Sequence, residues 1–345
     1  MKKFLDRLVD LSGLRDRDEL EFALVMLIGH CDQWTLQSTH LVRAIGHLED
    51  QRWLSRARLS AGQTRPTRDL VWSDWTTLPK LADFPLRQAA VTTANIVSSG
   101  GSPCITVFPI DTHLSVCSLL EVESEQPLSP AAQALIASAL RLYLNLQGLL
   151  DYGEKDSLTE LLNRKSFDGA FLRAALEQDN LATLDGPERR AHEISACYWL
   201  AVIDIDHFKR VNDNFGHLIG DEVLLLIAGL MRSNFRFHDQ IYRFGGEEFV
   251  VLMRCADHTD AAAALERFRA KVESFEFPQV GTIRVSVGFS ALRSDDTPGT
   301  AFDRADKAVY YAKANGRNQV CSYSVLVQAG ELTETLEITP ETDFF

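Results

Sequence analysis

Acidic side chains collect at two places in this sequence where they could hold a divalent cation. Trp199-Leu200-Ala201-Val202-Ile203 is an apolar run that ends in Asp204-Ile205-Asp206. A buried strand of that composition delivers carboxylates to the edge of a sheet, and residues two apart face the same side while the strand lasts. Farther on, Ile241-Tyr242-Arg243-Phe244 and Phe249-Val250-Val251-Leu252-Met253 read as two strands around Gly245-Gly246-Glu247-Glu248. Paired glycines favour a tight hairpin and let backbone approach a ligand closely. Adjacent glutamates in such a turn repel one another unless cations sit between them. Taken singly, each pattern also has a plainer reading: a surface Asp-x-Asp, and a hairpin with solvated acids.

Other polar residues fall in order around these acids. His207-Phe208-Lys209 follows Asp206 directly, then Asn212-Asp213, Gly216-His217 and Gly220-Asp221. Ala305-Asp306-Lys307-Ala308, Lys313 and Gly316-Arg317-Asn318 come last. Ahead of the set stands Asp156-Ser157-Leu158-Thr159-Glu160-Leu161-Leu162-Asn163-Arg164, then Phe167. In order, spacing and residue type, residues 155–323 resemble the diguanylate cyclase domain, the family known by its Gly-Gly-Asp-Glu-Phe signature. Leu162 stands where that family usually has proline. Glu247 is an accepted variant of the signature aspartate.

The resemblance implies a palm-like sheet with flanking helices and a reaction that condenses two GTP into cyclic di-GMP. It implies that Asp204, the main-chain carbonyl of Ile205 and Glu247 hold Mg²⁺, two ions per site with Mn²⁺ as an alternative, and that Glu248 lies near them. Hard oxygen ligands suit such ions. Glu247 is the expected acceptor of the 3′-hydroxyl proton. Backbone N–H groups at Phe208 and Lys209 would receive the terminal phosphates at a helix start, and the Lys209 side chain would offset transition-state charge. Lys313 and Arg317, four apart, would share a helix face as phosphate clamps if the helix runs through Gly316. Asn212 and Asp221 match the guanine-reading positions. Arg243 joins the substrate-binding set, as does His217, for which a structural role is the alternative. One site holds one nucleotide, so the resemblance implies a homodimer. Arg236-x-x-Asp239 stands where the family binds its product as an inhibitor, with Arg267 as a secondary contributor. A second class of function stays open, a catalytically silent receptor for GTP or cyclic di-GMP.

These residues need elements to position them, and 345 residues suit roughly two domains. The reading places an α/β (α+β) architecture with domains at 1–150 and 151–325 and an acidic tail at 326–345. In the first domain a helix is expected over Asp18–Ile28, with Asp18 as cap and Glu21 closing a capping box. Strands are expected near Trp34–His40, Trp53–Leu59, Ile105–Ile110 and Leu114–Val122, with a turn at Asp111-Thr112-His113. Ser129-Pro130 starts a helix reaching Asp151 or beyond. In it Leu135, Ala139, Leu142, Leu146 and Leu149 form a short heptad seam. That helix either packs on its own domain or acts as a dimerising rod. This pattern resembles a GAF-type sensor domain, an antiparallel sheet with helices, and a PAS-like domain would look alike. Trp34, Trp53, Trp72 and Trp75 serve either as core or as the lining of a pocket for an unknown sensor ligand. Residues 179–193 read as a solvent loop.

The net charge of -13 lies mostly in the second half, where 21 basic residues face 32 acidic ones, against 14 and 16 in residues 1–150. An acidic surface disfavours nucleic acid and anionic membrane as partners. No apolar run approaches the roughly 20 residues that span a bilayer, and the charged start does not read as a signal peptide. A cytoplasmic location is therefore expected. Cys31, Cys104, Cys117, Cys197, Cys255 and Cys321 show no Cys-x-x-Cys pair and read as free thiols.

Overall fold

The computed structural model describes residues 2–31, 34–46, 51–69, 77–110, 117–183 and 197–333. The chain divides into two compact units, Met1–Gly153 and Glu154–Phe345.

The first unit is built on a five-stranded antiparallel sheet of β1 (Leu36–Ile45), β2 (Arg52–Ser60), β3 (Val97–Ser98), β4 (Cys104–Ile110) and β5 (Ser118–Ser124), in the order β2-β1-β5-β4-β3. Helices α1 (Lys2–Gly13), α2 (Arg17–Gly29) and α4 (Pro130–Glu154) cover one face, and α3 (Pro85–Thr93) lies on the other. Alternation along a strand sends successive side chains to opposite faces. Thus Leu41 packs with Leu24 and Ile136, whereas Val42 packs with Ala90 and Trp53.

The cap of α2 differs from the expectation. Asp16, not Asp18, accepts from the backbone N–H groups of Asp18 (2.9 Å) and Glu19 (3.1 Å). Asp18 instead pairs with Arg56 (2.6 Å) and Arg68 (2.5 Å). Glu21 closes no capping box; it is buried against Arg43 (2.9 Å) on β1 and Arg56 (2.7 Å) on β2. Burial of that carboxylate demands cationic partners, and those come from strands that local spacing does not reveal.

Helix α4 starts as expected, with Ser129 Oγ accepting from Ala132 N at 3.2 Å. Its buried side carries Ala132, Ile136, Ala139, Leu140, Tyr143 and Leu146. Of the heptad positions, Ala139 and Leu146 are therefore spent on the unit's own core, and Leu135 and Leu142 pack partly against it. Leu149 is 69% exposed. Trp53 is core, and Trp34 packs edge-on against Phe4 at 6.4 Å. Trp72, Trp75, the turn at 111–113, residues 114–116 of the expected strand and residues 184–193 of the expected loop lie outside the described residues.

The second unit centres on a six-stranded mixed sheet. Its strands are β6 (Leu162–Asn163), β7 (Cys197–Ile205), β8 (Gln240–Gly245), β9 (Glu248–Cys255), β12 (Val285–Ala291) and β13 (Val320–Ser322), in the order β13-β12-β7-β9-β8-β6. A separate two-stranded ribbon pairs β10 (Glu276–Phe277) with β11 (Gly281–Thr282). Helices lie on both faces, which is why β7 reads as a continuous apolar run. Ala201, Ile203 and Ile205 join a layer with Val223, Ile227 and Leu265. Leu200 and Val202 join another with Phe167, Phe171 and Ala305.

The first turn of α5 (Arg164–Thr183) brings Phe167 against Tyr242 and Phe244 (5.3 and 5.1 Å between ring centroids). Helix α5 also occupies the start of the expected loop at 179. Gly288 on β12 is where the helix Pro298–Ala314 meets the sheet. A Cβ there would lie 2.2 Å from Ala305 O and 2.3 Å from Val309 N. Residues 326–328 of the expected tail belong to the helix Tyr323–Gln328, with Leu326 buried; residues 334–345 lie outside the described residues. Among the described residues, no helix is long and apolar enough to cross a membrane. All six cysteines are free.

Candidate active site

Antiparallel pairing of β7 with β9 sets Asp204 opposite Glu248 and Ile203 opposite Phe249. The turn between β8 and β9 is closed by Gly245 (φ 143°) and Gly246 (φ 51°), left-handed conformations that favour glycine. It carries Glu247 to the end of β7, where Ile205 N donates to Glu247 O at 3.4 Å. Three carboxylates, Asp204, Glu247 and Glu248, thus meet at one end of the sheet.

Burial, opposed by the Lys313 ammonium and reinforced by Glu247 and Glu248, pushes the Asp204 carboxyl up to about 6. Burial also raises Glu247, again opposed by Lys313 and reinforced by Glu248. Lys313 Nζ lies 2.7 Å from Asp204 Oδ2, so a cation already answers this charge. Among the described residues, no group of three or more His, Cys, Asp or Glu forms a metal-binding cluster by itself. Two carboxylates, Asp204 and Glu247, with the Ile205 carbonyl are hard oxygen donors of the kind a small divalent cation takes, and such an ion commonly needs only one or two carboxylates from protein.

Asp206 does not share the role of Asp204. Its Oδ1 accepts from Ser286 Oγ (2.7 Å) and its Oδ2 from Asn318 N (3.0 Å). Its own N–H donates to Arg284 O at 2.9 Å. Asp206 is a latch between the end of β7, β12 and the turn after the helix Pro298–Ala314.

Beyond it, His207 adopts a left-handed φ of 59° and the helix Phe208–Phe215 begins. Phe208 is buried and anchors that start, and Lys209 is exposed. A second helix, His217–Asn234, packs against it after Gly216. His217 and Asp221 are exposed on its first turns. Asn212 lies against Gly220 so closely that a Cβ on Gly220 would stand 1.9 Å from Asn212 Oδ1. The glycine beside Asp221 is therefore required by the Asn212 amide, and the two expected guanine readers sit on neighbouring helices.

Two expected residues sit differently. The helix carrying Lys313 ends at Ala314, and Arg317 lies beyond it with φ 62°, so the two share no helix face. Gly316 is the break, with φ 108°. Arg243 is engaged within the unit: Nε and Nη2 donate to Gly246 O (3.3 and 3.0 Å), and Nη1 donates to Asp156 Oδ1 at 3.0 Å. Asp156 also accepts from Thr159 N (2.8 Å) and Thr159 Oγ1 (2.7 Å). Arg243 and Asp156 thus brace the turn that carries Glu247, a positioning role for Asp156 that its place in a distant motif hinted at only by repetition of the family pattern.

At the Arg236-x-x-Asp239 site, Asp239 Oδ2 accepts from Arg236 N at 2.8 Å. Burial pushes the Asp239 carboxyl up to about 6 against the pull of Arg236 and Arg267. Asp239 Oδ1 is buried with no hydrogen-bond partner. Arg267 donates to Asn234 Oδ1 and O, both at 3.2 Å. The side chains of Arg236 and Arg267 are exposed around the carboxylate. His238 was not singled out by sequence; its Nε2 lies 3.7 Å from Asp239 Oδ1, and burial lowers it to about 4.

Residues 154–319 match the family model described as diguanylate cyclase, GGDEF domain. Diguanylate cyclase DgcP of Pseudomonas aeruginosa is 38% identical over 210 residues, which are 58% of this chain and 29% of that protein. Response regulator PleD of Caulobacter vibrioides is 39% identical over 186 residues, 51% of this chain and 37% of that protein. The chain thus spans well under half the length of these curated relatives. A solved GGDEF domain of DgcB from Caulobacter crescentus, in complex with c-di-GMP, is 33% identical and covers 50% of this chain and 96% of its own, with a TM-score of 0.43. The active GGEEF domain of a diguanylate cyclase from Vibrio cholerae is 34% identical and covers 47% of this chain and 97% of its own, with a TM-score of 0.40.

Proposed function

We propose, taking residues 154–319 as a GGDEF domain of the diguanylate cyclase family, that the chain condenses two GTP into cyclic di-GMP and two pyrophosphates. The observation that carries this reading is the β7–β9 register, which sets Asp204 opposite Glu248 with Glu247 in the adjoining turn. In each of two steps, the 3′-oxygen of one GTP bonds to the α-phosphorus of the other and the bond to pyrophosphate breaks.

Glu247 accepts the hydroxyl proton; its raised carboxyl is the better base for it. Lys209, Lys313 and Arg317 hold the phosphates, and Lys313 gives up Asp204 to do so. Asn212 and Asp221 read the guanine edge, where a carboxylate accepts from N–H groups that adenine lacks. Divalent cations, when bound at Asp204, Ile205 and Glu247, would neutralise the phosphate charge.

Since one site holds one nucleotide, two copies of the chain must meet. The antiparallel sheet and helices of the first unit support a sensor role that governs that meeting, with a ligand still to be identified. The Arg236, Asp239 and Arg267 cluster supports feedback by cyclic di-GMP, because arginine binds phosphate bidentately and stacks on guanine. Incubation of the purified chain with GTP and Mg²⁺ tests the reading: cyclic di-GMP and pyrophosphate should appear, and Glu247→Gln should abolish both. A chain that binds nucleotide and makes no product would be a receptor instead.

A further inference from the structure

Beside the Asp206 latch is a cleft of about 390 Å³ lined by Arg210, Arg284 and Arg317, with His207, Asn214 and Asn318. Three arginines line this space in a chain whose net charge is -13. Among the described residues, Arg210 and Arg317 form no ion pair. Arg284 reaches Glu273 at 3.2 Å, but that carboxylate also serves Arg269 (2.7 Å) and Asn318 (2.8 Å). Asp206 is the one acid in the lining, and both its oxygens are taken by Ser286 and Asn318.

The backbone gives a second observation. Gly316, Arg317 and Asn318 have φ of 108°, 62° and 46° in succession. Non-glycine residues in the left-handed region store strain, and such strain gathers where a ligand is held. Here the two left-handed residues, Arg317 and Asn318, both line the cleft, as do His207 and Arg210. Clustered arginines with little internal neutralisation suit a polyphosphate, since a guanidinium offers a planar fork to phosphate oxygens.

We propose that this cleft captures a free diphosphate, the pyrophosphate that leaves after each condensation step. The assignment rests on the proposed cyclase reaction for the identity of its ligand. It adds Arg210 and Arg284 to the residues that reaction was expected to use. The same chemistry could come from the terminal phosphates of bound GTP, and the two sources are separable.

The experiment is a calorimetric titration of the full chain with sodium pyrophosphate in EDTA, where no metal can bridge the anion to Asp204 or Glu247. Wild-type protein should bind one pyrophosphate. Arg210→Ala and Arg284→Ala should each weaken that binding about tenfold, the usual scale of one charge-assisted contact. In turnover without pyrophosphatase, added pyrophosphate should inhibit the wild type more than either variant. If wild-type protein fails to bind pyrophosphate, or the variants bind it equally well, the proposal is overturned. It is also overturned if the variants raise KM for GTP while free pyrophosphate does not bind, because the arginines then serve bound nucleotide. Pyrophosphate binding that depends on both arginines in a chain that makes no cyclic di-GMP would uphold the anion site and remove the cyclase reading instead.

Discussion

Gly220→Ala should separate activity from stability in this protein. The added Cβ would meet Asn212 Oδ1 at 1.9 Å, and real Cβ contacts essentially never fall below 3.0 Å. The Asn212 amide must therefore retreat by at least 1.1 Å, the difference between those two distances. Hydrogen bonds occupy a window of about 0.5 Å in heavy-atom separation, so that retreat breaks any bond from Asn212 to guanine. Leaving a polar group at the base unpaired costs about 1–3 kcal/mol, or roughly 5- to 150-fold in kcat/KM. The clash falls on the end of a side chain and spares backbone, so the fold survives. Alanine also improves on glycine within a helix by about 1 kcal/mol. Steady-state kinetics with GTP, alongside a thermal melt, should then show kcat/KM falling while Tm holds or rises. Asn212→Ala should add little on top, since both changes remove one contact. A kcat/KM within twofold of wild type, or a loss matched by a fall in Tm, would refute the argument.

Gly288→Ala meets the opposite case, because its Cβ would strike Ala305 O and Val309 N, both backbone. A loss toward the upper end of about 1–3 kcal/mol is expected in urea unfolding. His40 is held down to about 4 by burial and by the neighbouring Arg87 guanidinium. A histidine with a depressed folded-state value binds fewer protons folded than unfolded, so its contribution is complete above about 6.5 and is lost as pH falls toward about 4. His40→Gln should flatten the stability of the first unit across that window, read by denaturation at stepped pH. Arg236→Ala should relieve inhibition by added cyclic di-GMP; unchanged inhibition would remove the product site.

The strands that build the site were legible because β7 and β9 are buried on both faces and keep continuous apolar runs, with paired glycines marking the turn. The helix Pro298–Ala314 was met in the sequence only through Lys313 near its end; its start, capped by Thr297, was not read. What spacing could not reveal was the division of labour between neighbours. Asp204 and Asp206 look equivalent along the chain, yet Ser286 and Asn318 claim Asp206 from 80 and 112 residues away. Arg317 left the helix face that a four-residue interval suggests, because Gly316 turns the backbone left-handed. Glu21 fits a capping pattern, but its cationic partners on β1 and β2 decide its place. Arg243 was read as a substrate ligand, and the structure occupies its guanidinium with Asp156 and Gly246. For Asp206, Glu21 and Arg243 a long-range partner outweighed the local signal, and for Arg317 an adjacent glycine did.

The Asp206 latch also limits how this unit can be switched. One carboxylate ties the strand end that presents Asp204 to the turn that presents Arg317. Pulling on either would drag the other, and partial inactivation by bending only one would cost the latch as well. In the proposed cyclase reading, a controlling signal would therefore act better on when two copies encounter each other than by deforming the chemistry within one.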